Sequence, residues 1–369
     1  MTYILVAAIL IASSTTSALA QEKWIVGQSA PLTGSNANFG QDIQIGARAY
    51  FSSLNANGGV NGRNIELQTL DDKNDRKQAG ENAQKLLANK DLLALFGFAS
   101  ATLSLDALPL AVKSNVAFFA PFSGANPVRV SNPVLFTMRA SYGEEMEKML
   151  NFWTGLGMKN VSVIHYDDEV GKQNLEVVSQ YLKKINLVPM ALPIKRNAVV
   201  TKADVDALVA QKPQVILNTV LAGAAAQIQK ELVAMGRIVP TSSLSFVGAD
   251  QFVAASGPAG AGVSISQVVP SPSSMSPAVR ECAKVLVDAG SKTPMNSTQL
   301  EACFGAKVLA EGIRRAKKPV NAQTVLEALK NLGTYDLGGY KITFAPGAQH
   351  GSKYVELAMV TRDGKLSSR

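Results

Sequence analysis

The sequence predicts an α/β protein built as two lobes, each around a sheet of mostly parallel strands. Short β-rich runs alternate with amphipathic helical stretches along almost the whole chain. Some of the β runs are apolar without interruption, as in Leu92-Leu-Ala-Leu-Phe-Gly97 and Val116-Ala-Phe-Phe-Ala120. Such runs mark strands covered by helices on both faces. The alternation also proceeds once, to about residue 140, and then restarts.

The elements follow in order. Residues 24–30 read as a strand, and Ile43, Ala47, Tyr50, Phe51 and Leu54 then recur at helical spacing. Asn57-Gly58-Gly59 stops that helix. Residues 65–70 form a strand, 79–89 a helix, and 92–97 and 116–120 two further strands. The second series has helices at 142–156, 172–184, 204–211 and 224–235. Its strands are expected at 161–166, 188–194, 215–219, 245–248 and 263–269. Three helices come last, at 277–289, 297–316 and 321–332, followed by strands at 340–344 and 354–361. No low-complexity tether separates the series, which fits lobes joined by several crossings of the chain.

The 369-residue chain opens with an apolar run, softens into Ser and Thr, and reaches Ala18-Leu19-Ala20 with no charge before Glu22. This reads as a secretory signal cleaved after Ala20, although its start lacks the usual Lys or Arg. The run is too short to span a bilayer, which takes about 20 apolar residues. No Cys follows the cleavage point, so no stable membrane anchor is expected and the mature protein is expected in the periplasm. The net charge of +8 comes from basic residues scattered singly or in pairs, such as Lys183-Lys184 and Arg314-Arg315. Without a basic stripe interleaved with aromatics, no nucleic-acid partner is expected. Cys282 and Cys303 sit on successive helical stretches. An oxidising compartment would let them pair, and two buried thiols are the other reading.

Catalytic patterns are absent from the sequence. There are two histidines, His165 and His350, with no His-x-x-x-His or Cys-x-x-Cys pair, no Gly-x-Ser-x-Gly elbow and no phosphate-binding Gly-x-x-x-x-Gly-Lys loop. The glycine-rich stretch 257–262 precedes a strand, the wrong context for a dinucleotide site. No enzyme activity, cofactor or metal is therefore expected. Asp71-Asp72 and Asp167-Asp168 stand at strand ends, where turn and helix-cap roles suffice.

Polar residues instead gather where strands give way to helices, at 30–40, 97–102 and 121–127. In an open parallel sheet, ligands bind beyond the carboxyl ends of the strands. Hydroxyls and unpaired backbone N–H groups there suit a carboxylate.

Several of these stretches resemble the periplasmic leucine/isoleucine/valine-binding family of ABC transporters. The resemblance rests on Pro31-Leu-Thr-Gly34, Phe39-Gly40, Gly46-Ala47 and above all Asn55-Ala-Asn-Gly-Gly-Val-Asn-Gly-Arg63. Asp71-Asp72, Pro121-Phe-Ser-Gly-Ala125, Phe136-Thr-Met-Arg139 and Phe246-Val-Gly248 extend it along the mature chain. It implies a type I periplasmic binding protein fold: two Rossmann-like lobes with parallel-rich sheets and a hinged cleft. Lobe 1 would comprise 21–141 plus 270–350, and lobe 2 would comprise 142–269 plus 351–369.

The resemblance further implies that Ser100, Ala101 and Thr102, with Phe122, Ser123 and Gly124, hold a ligand carboxylate. Phe39 would rest on the ligand. Asp250 stands where the family usually has a Glu that receives an α-amine. Val170 and Leu221 stand where leucine-type binders carry tyrosines, which predicts a more apolar wall on lobe 2. The implied function is solute capture for an ABC importer, with the permease subunits as partners. The ligand would be an amino acid, branched-chain or otherwise apolar. An aromatic or aliphatic organic acid is the alternative, as is a sensory role at a membrane receptor.

Overall fold

The computed structural model describes residues 23–34, 36–196 and 198–368; the expected signal at 1–20 lies outside the described residues. The chain begins with β1 (Trp24–Ala30), α1 (Ala37–Ala56), β2 (Ile65–Asp71), α2 (Arg76–Leu87) and β3 (Leu92–Phe96). A single turn, α3 (Ala101–Ser104), then α4 (Ala107–Ser114), β4 (Ala117–Phe119) and β5 (Leu135–Phe136) complete the first run. The strands form one parallel sheet in the order β2-β1-β3-β4-β5. Crossovers through helices impose that direction, because parallel neighbours cannot be joined by a tight turn.

The chain then crosses to a second sheet. Helix α5 (Tyr142–Gly155) starts on a capping box in which the Ser141 and Glu144 side chains satisfy each other's backbone N–H. It is followed by β6 (Val161–Tyr166), α6 (Glu169–Lys183), β7 (Met190–Ile194), α7 (Lys202–Ala210), β8 (Val215–Asn218) and α8 (Ala222–Ala234). Next come β9 (Thr241–Ser243), α9 (Ala249–Ser256) and β10 (Ser264–Gln267). The strand expected at 245–248 is instead a 3-10 turn, Ser245–Val247, ended by Gly248 at φ 71°. The true strand, β9, is the polar Thr241-Ser-Ser just before it. It is buried because its hydroxyls are matched: Trp153 Nε1 donates to Ser242 Oγ at 2.6 Å, and Asn218 Nδ2 to Ser243 Oγ at 3.1 Å.

A second crossing returns the chain to the first sheet, where α10 (Pro277–Asp288), α11 (Ser297–Arg315) and α12 (Ala322–Lys330) lead into the hairpin β11 (Gly333–Asp336) and β12 (Lys341–Phe344). A third crossing ends in β13 (Glu356–Val360) and β14 (Leu366–Ser368), which add antiparallel strands to the second sheet. Its order is β14-β13-β10-β9-β8-β6-β7. The first and third crossings run side by side: Thr137 N–H donates to the Gln349 carbonyl and Gly351 N–H to the Thr137 carbonyl.

The first core joins α1, α11 and the sheet through Phe51, Phe96, Phe119, Phe304 and Phe344. Helices α1 and α11 touch backbone to backbone, since a Cβ at Gly46 would lie 2.2 Å from the Gln299 carbonyl oxygen. Only glycine permits that approach. The second sheet has apolar clusters on both faces, one around Ile164, Ile216 and Phe252, the other around Met146, Trp153 and Leu217. Cys282 and Cys303 form a disulfide between α10 and α11, with Cα atoms 6.0 Å apart.

Candidate ligand-binding cleft

The carboxyl ends of β3 and β4 face those of β6, β7 and β8 across a narrow cleft. The walls stand close together, and any small molecule held there touches both.

The wall on the side of the first sheet comes from the loops singled out in the sequence. Phe39, Ala99, Ser100, Ala101, Thr102, Phe122 and Ser123 line it. Ser100 Oγ accepts from Leu103 N–H at 3.2 Å and so caps the single turn α3, as a purely local role requires; its own O–H proton is left to donate elsewhere. The Thr102 hydroxyl has no partner among the described residues. Phe39 meets Phe122 edge to face at 6.1 Å, an apolar corner beside these hydroxyls.

Ser123 links the two walls. Its Oγ accepts from Ala125 N–H at 3.2 Å and donates to the Tyr142 hydroxyl at 3.3 Å. Tyr142 opens α5, and burial pushes its phenol up to about 12, so it stays a neutral donor. Gly124 does not line the cleft; its carbonyl accepts from Tyr142 N–H at 2.8 Å. A Cβ there would lie 2.7 Å from both the Ala140 carbonyl oxygen and Tyr142 N. Its part is to let the β4 loop approach the first crossing closely enough for Ser123 to reach Tyr142.

Val170 and Leu221 line the opposite wall together with Phe246. That wall is nevertheless less apolar than they alone predict, because Tyr166, Asn174, Arg196 and Thr219 also line it. The Tyr166 hydroxyl oxygen accepts from Leu221 N–H at 3.1 Å, and Thr219 Oγ1 donates to the Ile164 carbonyl at 2.9 Å. Arg196 leaves the end of β7, and its Nε donates to Asp168 Oδ2 at 2.7 Å. Its guanidinium lies 3.9 Å from the centre of the Tyr166 ring. Asn174 is only 4% exposed, and its amide has no partner among the described residues.

These polar residues carried a signal in the sequence. Asn174 lies four positions after Val170, on one helix face. Arg196 follows a strand at its carboxyl end, where sites of this architecture form.

Asp250 is not brought to the cleft. It is exposed in the first turn of α9 and borders a separate hollow with Ser271, Met295 and Asn296. Gly248 turns the chain just before it, so the carboxylate follows the helix towards α10 and α11. Its neighbour Gln251 donates to Asp42 Oδ2 at 2.7 Å, which ties α9 to α1. As a result the described residues lining the cleft include no carboxylate, and Arg196 is the charged one among them. Among the described residues there is also no cluster suited to a metal ion, and no helix long and apolar enough to cross a membrane.

A family model described as "Periplasmic binding protein" matches residues 23–365. The chain is similar to Leu/Ile/Val-binding protein homolog 2 of Brucella abortus (strain 2308), 27% identical over 206 residues, which is 54% of this chain and 53% of that protein. The chain thus spans about half the length of the curated relatives it matches. A substrate-binding periplasmic protein from Ralstonia solanacearum superposes with a TM-score of 0.88 at 30% identity, covering 94% of this chain and 99% of that one. A possible leucine/isoleucine/valine-binding protein from Rhodopirellula baltica SH 1 gives 0.90 at 22% identity, covering 95% of this chain and 96% of that one.

Proposed function

Since the chain belongs to the periplasmic binding protein family, whose members bind solutes and are not enzymes, we propose that it captures a small carboxylic acid in the cleft and presents it to an ABC importer. Its fold is the type I periplasmic binding protein fold. In this reading, 21–141 plus 270–350 and 142–269 plus 351–369 are lobes that close by rigid-body rotation on the ligand, and the permease distinguishes closed from open. The membership of the strands in two sheets supports the division. Export through the signal at 1–20 belongs to the same proposal.

One observation carries the ligand class: hydroxyl donors and a guanidinium line the cleft, and no carboxylate does. A ligand carboxylate finds the Ser100, Thr102 and Tyr142 hydroxyls as donors, with the Ser123 O–H fixing the Tyr142 oxygen. The ammonium of an amino acid would be taken out of water with no charge partner, which is unfavourable by several kcal/mol. An acid without an amine, aliphatic or aromatic, fits better between Phe39, Phe122, Val170 and Leu221. The amino-acid reading draws its support from the Leu/Ile/Val-binding relative in Brucella.

Matched pairs separate the two readings. Thermal shift is measured on ligand-stripped protein with leucine against 4-methylpentanoate, and phenylalanine against 3-phenylpropanoate. Each pair differs only in the amine, and a ligand that binds the folded state raises the melting temperature by mass action. The amine-free acids are expected to give the larger shift. A larger shift with the amino acids returns the amino-acid reading.

A further inference from the structure

Resting on the reading of the cleft as a carboxylate site, we infer that Arg196 and Asn174 form a second acid-binding position, so that the ligand is a dicarboxylic acid with an apolar body. The protein's own use of Arg196 is partial. Asp168 takes Nε, and the flat face of the guanidinium lies on Tyr166. The two η nitrogens have no partner among the described residues, although the side chain is only 26% exposed. They present paired N–H groups, the geometry that matches a carboxylate. Asp168 and Tyr166 hold this fork in place before any ligand arrives, which limits the side-chain entropy lost on binding.

Asn174 is the independent observation. The residue is only 4% exposed, and its amide has no partner among the described residues while it lines the cleft. Its NH₂ is a second donor on the wall that carries Arg196. The first acid group of the ligand belongs at Ser100, Thr102 and Tyr142, and the second at this position. Val170 and Leu221 line the same wall as Arg196 and Asn174, and Phe39 and Phe122 line the wall facing it, so the body between the two acid groups meets apolar surface on both sides.

The test is calorimetry on the full, ligand-stripped protein with unbranched diacids from butanedioate to octanedioate, each against the monoacid of equal length. Benzene-1,4-dicarboxylate against benzoate is the aromatic pair. At the fitting length the diacid is expected to bind at least tenfold more tightly than the monoacid, as one charge-assisted contact supplies. Arg196→Gln is expected to weaken the diacid at least tenfold and bring the diacid-to-monoacid ratio towards one. Asn174→Leu, close in volume, moves that ratio in the same direction by less. Monoacids that bind as tightly as every diacid, or a ratio that Arg196→Gln leaves unchanged, overturn the inference while the carboxylate reading stands. If no acid of either class binds, the carboxylate reading fails and the inference with it.

Discussion

Arg139 and Glu301 form a two-pronged ion pair inside the protein, Nε to Oε1 at 2.8 Å and Nη2 to Oε2 at 2.5 Å. The pair ties the first crossing of the chain to α11, and Arg139 Nη1 also reaches Ser245 Oγ at 3.3 Å, beside the second sheet. Both side chains are almost fully buried. Removing one partner strands the other charge away from water. Glu301→Gln should therefore lower the unfolding free energy by about 3–5 kcal/mol. Urea titration of wild type and variant measures it, and a loss below about 1 kcal/mol would show that the interior tolerates an unpaired guanidinium. Replacing both partners by apolar residues should recover part of the loss.

The disulfide between Cys282 and Cys303 closes a loop with a sequence separation of 21 residues. Constraining the unfolded chain over that length is worth about 3 kcal/mol in the loop-entropy model. The double variant Cys282→Ala/Cys303→Ala should melt at a lower temperature than wild type, and reductant should shift wild type but not the variant. Equal melting temperatures with and without reductant would refute the stabilising role.

Stability should depend on pH through Asp72. Burial pushes this carboxyl up to about 6, against the opposing pull of its hydrogen bonds from Ser29 Oγ and Asn74 N–H. The folded state thus holds its proton more tightly than the unfolded chain. The stabilisation this gives is complete below the ordinary carboxyl value near 4, declines as pH rises, and is gone above about 6. Asp72→Asn keeps the shape and removes the titration, with the amide oxygen left for Asn74 N–H. The difference in unfolding free energy between variant and wild type should grow in the variant's favour from pH 4 to pH 7, by up to about 3 kcal/mol. A difference that stays constant over that range would exclude Asp72 as its source.

Ser123→Ala should weaken the binding of any acid by about tenfold, because the Tyr142 hydroxyl loses the donor that holds it in place for the ligand. It removes the contact to Tyr142 and leaves Ala125 N–H without its acceptor, so the unliganded variant should also lose about 1–3 kcal/mol of stability. Calorimetry and urea titration read the two effects separately. Unchanged affinity with reduced stability would make Ser123 a support of the loop that does not position Tyr142 for the ligand.

Legibility in the sequence followed the chemistry of burial. Runs such as Leu92–Phe96 could be read because five apolar side chains in a row need cover on both faces of a strand. Thr241–Ser243 could not, because its burial depends on partners such as Trp153 and Ser264 that come from distant segments. Strand β5 has only two residues, and β11 and β14 are short additions at sheet or hairpin edges, too brief for a periodic pattern. In the cleft, the loops that carry Ser100, Thr102 and Ser123 stood out because polar loops after apolar strands are a local signal, while Phe39 and Phe122 came from the family resemblance. Arg196 had only its place after a strand to mark it, and one more basic residue in a chain of charge +8 looks like solvated surface. Only the pairing of β7 beside β6 places it against Tyr166. Asp250 was carried over from the family resemblance, and in this structure it follows the turn at Gly248 to a separate hollow.

The contact of Gly46 with Gln299 has a consequence for how the molecule comes into being. The face that α1 lays on α11 must wait for a partner about 250 positions further along the chain. Until α11 has been synthesised, the first five strands and their helices exist without the surface that seals them. The second sheet has its first five strands by residue 267 and takes its last two, β13 and β14, from the end of the chain. The N-terminal third therefore cannot bury this face until most of the chain has been made.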